Sequence, residues 1–292
     1  MKKFHTLGKA VISVVCICLM HNFSVAQVAD VYNGTVLPQV KETIQAPVME
    51  PVRSLELYNN GPLITHYGIG YNGADISELQ NPSLGMTVSG FGHQFSLGYK
   101  IADDFTVTDP GGWNIVGIAF YAYQAGSPST SNFTAVYFAI YDGDPMLPGS
   151  NIIYGDFVTN RMTSTGFTGI YRVLETAPTD NNRPIMVNHC EFDLTLGPGT
   201  YWLVWMSDGA DIYGYEWAPP VTILGQAPTG NGLQFTTAWG GAYDSGTMTQ
   251  QGFPFVIFGR AGQAAIPVAG WALGIGLVLI IGLAVLRYRR IL

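Results

Sequence analysis

The chain has 292 residues, with 13 Lys and Arg against 20 Asp and Glu and a net charge of −7 at pH 7. Three of the basic residues lie at the extreme N-terminus and three at the extreme C-terminus, so seven face all 20 acidic ones in between, a balance near −13. That surface excludes nucleic acid, whose affinity comes from Lys and Arg on phosphates, and docking on anionic lipid.

The first element is a leader. Lys2, Lys3 and Lys9 precede an uncharged apolar run of 11 residues, Ala10–Met20, too short for the about 20 residues a spanning helix needs. Ser24-Val25-Ala26 then places small residues at the −3 and −1 positions, so residues 1–26 read as a signal peptide cut between Ala26 and Gln27. Cys16 and Cys18 follow bulky Val15 and Ile17, which argues against lipid attachment, and both leave with the leader. Cys190 then stands alone and in phase with Phe192, Leu194 and Leu196, the position of a small buried side chain rather than a reactive thiol.

Residues 27–53 carry three prolines and no sustained period, and read as a flexible arm. From residue 54 to 260 the chain is rich in Gly and aromatics, with short apolar runs between turn signals, which is the pattern of strands. Phe95, Leu97, Tyr99 and Ile101 alternate with polar or small residues. In "WNIVGIAFYAY", Val116, Ile118 and Phe120 fall on one face, and Trp113, Ile115, Tyr121 and Tyr123 on the other. "NFTAVYFAIYDG" is apolar on both faces, and "CEFDLTL" puts Phe192, Leu194 and Leu196 in, with Glu191, Asp193 and Thr195 out. After the "GPGT" turn come "YWLVWMS", "LQFTTAW" and "FPFVIFG". The expected fold class is all-β: one antiparallel β-sandwich of jelly-roll type over 54–260.

Residues 261–267 form a linker, and 19 uncharged residues, Val268–Leu286, are long enough to cross a bilayer. Residues 287–292 hold Arg287, Arg289 and Arg290, which the positive-inside rule assigns to the cytoplasm, with the β-domain outside.

Within the domain, Asp103 falls in the apolar phase of its strand. A buried carboxylate needs compensation: a hydrogen-bonded corner, a bulge at Ala102 that turns it outward, or a cation. Calcium would take Asp103 and Asp104 together with Asp142 and Asp144 of "YDGDP", although neither this segment nor "SDGAD" has the spacing of an EF-hand loop. Apart from calcium no cofactor is expected. The loop "DGADIYGYEWAPP" offers Tyr213, Tyr215 and Trp217 as a platform for sugar rings; the alternative is that they pack in the core, as most aromatics of a chain that is 13% aromatic must. His66, His93 and His189 are far apart in sequence, and the hydrolase motifs His-Glu-x-x-His and Gly-x-Ser-x-Gly are absent, so an enzyme is not expected; a glycan hydrolase would need a carboxylate pair formed across space, with Glu216 one candidate.

The C-terminal motif Ile266-Pro267-Val268-Ala269-Gly270-Trp271, followed by an apolar helix and Arg287-Tyr288-Arg289-Arg290, resembles the tripartite bacterial sorting signals of the PEP-CTERM and IPTL-CTERM class. Ala269 stands where the most similar variant has Ser, and neither Pro-Glu-Pro nor Ser-Glu-Trp is present. The resemblance implies an exosortase-type membrane transpeptidase as partner, with Ile266, Pro267, Gly270 and Trp271 in the recognised motif and the helix in the inner membrane before processing. "KIADDFTVTDPGGWNIVGIAFYAYQ", "AIYDGDPMLPGS", "LTLGPGTYWLVW" and "FPFVIFG" are similar to a recurrent bacterial exported β-sandwich whose members often carry such tails. Together they imply a structural or adhesive protein of the cell surface, outer membrane or extracellular matrix. The alternatives are a polysaccharide-binding module at the surface and a permanently anchored single-pass protein.

Overall fold

The computed structural model describes residues 55–262 and the single residue Arg287. The leader, the arm, the sorting motif Ile266–Trp271, the apolar segment 268–286, Arg289 and Arg290 lie outside the described residues. Among the described residues no helix is long and apolar enough to cross a membrane.

The protein is all-β, built on two six-stranded sheets. The first takes β1 (Leu55–Asn59), β14 (Phe255–Ala261), β5 (Trp113–Ala122), β9 (Pro184–Leu196), β8 (Met162–Leu174) and β2 (Asp75–Leu79), in that spatial order. The second takes β13 (Trp239–Gly241), β12 (Leu233–Phe235), β4 (Lys100–Val107), β10 (Gly199–Gly209), β6 (Phe133–Tyr141) and β7 (Ile152–Asp156). A two-stranded ribbon pairs β3 (Phe91–Gly92) with β11 (Trp217–Ala218), and one short helix, α1 (Asn81–Leu84), follows β2. All strand pairs are antiparallel except β2 with β8, a parallel departure from the expected antiparallel pattern.

The two sheets face each other across one main core. Ile115, Ile118, Phe120, Phe255 and Ile257 of the first meet Ile101, Phe105, Phe138, Leu203 and Trp205 of the second. Phe120 lies 5.2 Å from Trp205 and 5.5 Å from Phe138 between ring centres, so aromatic side chains interlock across the interface. Each large side chain withdrawn from water contributes roughly 1.5–3 kcal/mol. On β9 the expected alternation holds: Glu191, Asp193 and Thr195 are exposed, while Phe192, Leu194 and Leu196 pack on the core beside buried Cys190. Burial pushes the Cys190 thiol up to about 12, so it stays protonated and inert.

Two expectations for strands fail locally. Phe95–Leu97 is a 3-10 turn closed by Gly98 in the left-handed region, not the start of a strand; β4 begins only at Lys100, and Phe95 stacks on Tyr137 with ring centres 4.2 Å apart. On β5, Trp113, Ile115, Ile118 and Phe120 share one core, whereas simple alternation places the first two opposite the last two. The cause is a register break against β14, where the two steps from Ile115 to Gly117 span the single step from Gly259 to Phe258, so Val116 leaves the core side.

The β4–β5 connection illustrates a strict glycine. Gly112 has φ +74°, its N–H donates to Asp109 O at 2.8 Å, and a Cβ there would come within 2.2 Å of Leu196 O. Gly112→Ala is therefore expected to destabilise the domain by about 2 kcal/mol, a loss read from urea unfolding midpoints.

Candidate functional site at the Ala210–Trp217 loop

Beyond Gly209 the chain leaves β10, makes a 3-10 turn at Asp211–Tyr213, and passes Gly214 at φ +74°. It then returns along β11. Trp217 and Tyr123 exchange two backbone hydrogen bonds, both 2.9 Å, and the His93 N–H donates to Glu216 O at 3.1 Å. The loop is thus tied to β5 and to the β3 ribbon at its far end.

A buried polar node holds its middle. The Gln124 amide donates to Gly214 O at 2.7 Å, to Ala210 O at 3.2 Å and to Glu216 Oε1 at 3.1 Å; Asn132 donates in turn to Gln124 Oε1. Glu216, buried between these groups, has its carboxyl pushed up to about 7, first by desolvation and further by the charges of Asp208 and Asp211.

Of the three aromatic residues expected to form a platform, Tyr215 is 52% exposed, while Tyr213 and Trp217 are half-buried. Tyr215 and Trp217 meet edge-on, 6.3 Å apart at 72°, so they do not form one flat surface. Trp217 packs on the cluster of Leu63, Tyr123, Ile170 and Ile185. Its other side borders a cleft of about 410 Å³, walled also by Thr87, Ser89, Tyr123 and Arg183.

One arginine, Arg183, lines this cleft, and another, Arg172, is buried behind its Ser89 wall. Arg183 is half-buried and pairs with Asp180 at 3.3 Å. Arg172, on β8, is fully buried: its Nε donates to Ser89 O at 2.9 Å, and one terminal nitrogen donates to Ser77 Oγ and Thr222 Oγ1, both 3.1 Å. Burial lowers its guanidinium to about 10, so it is charged at neutral pH. The Tyr123 hydroxyl is pushed up to about 12 by burial, against the pull of Arg172 and Arg183.

Three of the four carboxylates weighed as calcium ligands, those of Asp103, Asp142 and Asp144, are engaged by backbone amides. Asp103 is buried and accepts from Asp104 N at 2.9 Å and Phe253 N at 2.6 Å, joining β4 to the approach to β14. The β4–β10 register runs unbroken past Ala102, so no bulge turns Asp103 outward. Asp142 accepts from Asn151 N and Asp144 from Met146 N, which shapes the β6–β7 connection. Among the described residues no group of three or more His, Cys, Asp or Glu comes together. The three histidines remain apart. His66 lies 3.7 Å from Glu78, His189 is on β9, and His93 is fully buried against Ser207 Oγ at 3.1 Å, its imidazole lowered to about 4 by burial.

Sequence reasoning found the loop but missed Tyr123, Gln124, Arg172 and Arg183. Arg172 carried the clearest signal, a lone cation within the apolar run Ile170–Leu174 of an acidic chain. The class that fold and site define is an all-β protein of two facing sheets with a cleft beside one braced loop. Comparison with protein-family models, curated proteins and solved structures finds no match to this chain.

Proposed function

We propose that this chain is an exported surface or matrix protein with a structural and adhesive role, its sandwich of jelly-roll type. It is delivered by residues 1–26, cut after Ala26, and sorted through Ile266, Pro267, Gly270, Trp271 and Arg287–Arg290 by an exosortase-type transpeptidase. The strand orders support the jelly-roll reading: β1-β14-β5-β9 in one sheet and β4-β10-β6-β7 in the other, with the chain crossing between sheets at β4–β5, β5–β6, β7–β8 and β9–β10.

One observation carries the adhesive reading. The Ala210–Trp217 loop is braced from within by Gln124, Asn132 and Glu216, while Tyr215 and Ile212 remain exposed at its surface. Burying a carboxyl and two amides beneath a loop costs stability, and what it secures is a fixed loop shape, the condition for recognition. The ligand class best suited to a rigid loop with aromatic edges beside a polar cleft is polysaccharide. A glycan array probed with the protein is expected to give hits that Trp217→Ala abolishes; an array without hits, or with hits that survive the substitution, contradicts recognition by this loop.

A further inference from the structure

Building on the reading of this end as a polysaccharide surface, we infer that the cleft beside Trp217 takes a carboxylated sugar, a uronic-acid unit. Its carboxylate would meet Tyr123 and Arg183, with the buried Arg172 adding positive charge from behind the wall, and its ring would lie against Trp217.

Charge is the first argument. Residues 55–262 contain five basic side chains, Lys100, Arg161, Arg172, Arg183 and Arg260, against 17 acidic ones. One of the five, Arg183, lines this cleft, and a second, Arg172, lies buried behind its Ser89 wall. Lys100 sits over the Phe235 ring at 4.6 Å and Arg161 is held by Asp156 at 2.7 Å; Arg183 also pairs with an aspartate, Asp180 at 3.3 Å, but it lines the cleft beside Trp217 and Tyr123.

The second argument is incomplete compensation. Among the described residues no carboxylate lies within ion-pair distance of Arg172, although the guanidinium is fully buried. It is met by neutral oxygens, and Asp244 and Glu78 act on it only from farther away. A buried cation held this way is costly, and a carboxylate bound in the cleft would offset its charge at a distance, across the Ser89 wall. Its Nε bond to Ser89 O puts the guanidinium directly behind the cleft wall to which Ser89 belongs.

Tyr123 supplies the third. Its side chain is 2% exposed, it lines the cleft, and its hydroxyl makes no hydrogen bond to any described residue. The positive charges of Arg172 and Arg183 both bear on that hydroxyl. Gly90 leaves it reachable, since a Cβ at that position would stand 2.6 Å from the phenolic oxygen.

Size and lining select a sugar acid over a bare inorganic anion. A volume of about 410 Å³ falls in the range of small-molecule sites, and the Trp217 wall would be idle against phosphate. Thr87 and Ser89 add polar groups at the rim suited to ring hydroxyls.

The test is calorimetric titration of the full chain, in neutral detergent, with trimers of galacturonate and of glucuronate and with the methyl esters of both. At least one acidic trimer is expected to bind about tenfold more tightly than its ester, a difference that added salt reduces. Tyr123→Phe and Arg183→Gln are each expected to erase most of that preference while the melting temperature holds. Equal affinity for acid and ester would overturn the carboxylate inference and leave polysaccharide binding intact. No binding of either, with the array also empty, would remove both readings. A preference for acid that survives Tyr123→Phe and Arg183→Gln would place the anion elsewhere and overturn the assignment.

Discussion

Asp244→Ala is expected to lower the unfolding free energy by about 3–5 kcal/mol, the largest single effect in the domain. Asp244 is fully buried just after β13, and its carboxylate accepts hydrogen bonds from four backbone amides. Val88 N lies at 2.8 Å, Thr87 N and Gly246 N at 3.0 Å, and Thr247 N at 3.1 Å. The residue therefore shapes its own turn and clamps the segment between α1 and β3, which forms a wall of the cleft. Removing it leaves four donors without an acceptor. Burial raises the Asp244 carboxyl, but the amides outweigh burial and hold it below the usual range. A depressed carboxylate stabilises the fold above its unfolded pKa, and this contribution is lost as pH falls. Urea melts of Asp244→Ala and Asp244→Asn measure the effect. The asparagine variant, which keeps one acceptor oxygen, is expected to lose roughly half as much.

Asp103→Asn is expected to change the pH dependence of stability as well as its size. Desolvation pushes the Asp103 carboxyl up to about 7, against the pull of the Phe253 and Asp104 amides. The folded state thus holds a proton that the unfolded chain has released, so stability falls as pH rises from about 4 towards about 7, by at most about 1.4 kcal/mol per pH unit. Glu216 acts in the same sense over the same window. His93, lowered to about 4, acts in the opposite one, losing stability as pH falls below its unfolded value. The difference between wild type and Asp103→Asn isolates Asp103. The variant is expected to be less stable by about 2 kcal/mol at the acid end, because its amide nitrogen confronts a backbone N–H, and the gap is expected to narrow as pH rises. A gap that stays constant across the window would contradict the buried-proton account.

Where a strand lies between turns and keeps one register, its residues could be read directly. The inward phase of Asp103 is of that kind, since β4 keeps one register against β10, and the β9 alternation from Cys190 to Leu196 is legible because it survives the register shift against β5. The β5 faces could not, since the register break at Val116 is set by the neighbouring strands. The candidate site divides the same way. Tyr213–Trp217 announce a loop through Gly214 and the following prolines, but the angle between Tyr215 and Trp217 is set by the pairing of β11 with β3 and Tyr123. The cleft draws on the segment before β3, the residues just after β5, Arg183 just before β9 and Trp217 of β11, with Arg172 of β8 behind its wall, and no spacing rule links these residues along the chain.

Both the adhesive role and the sugar-acid cleft presuppose that the sandwich reaches the cell exterior and is processed there. Mass spectrometry of the protein recovered from the surface or matrix fraction tests that most directly. A chain starting at Gln27 and ending near residues 264–270 is the predicted result; recovery only of chains that run to Leu292 would contradict processing by a transpeptidase.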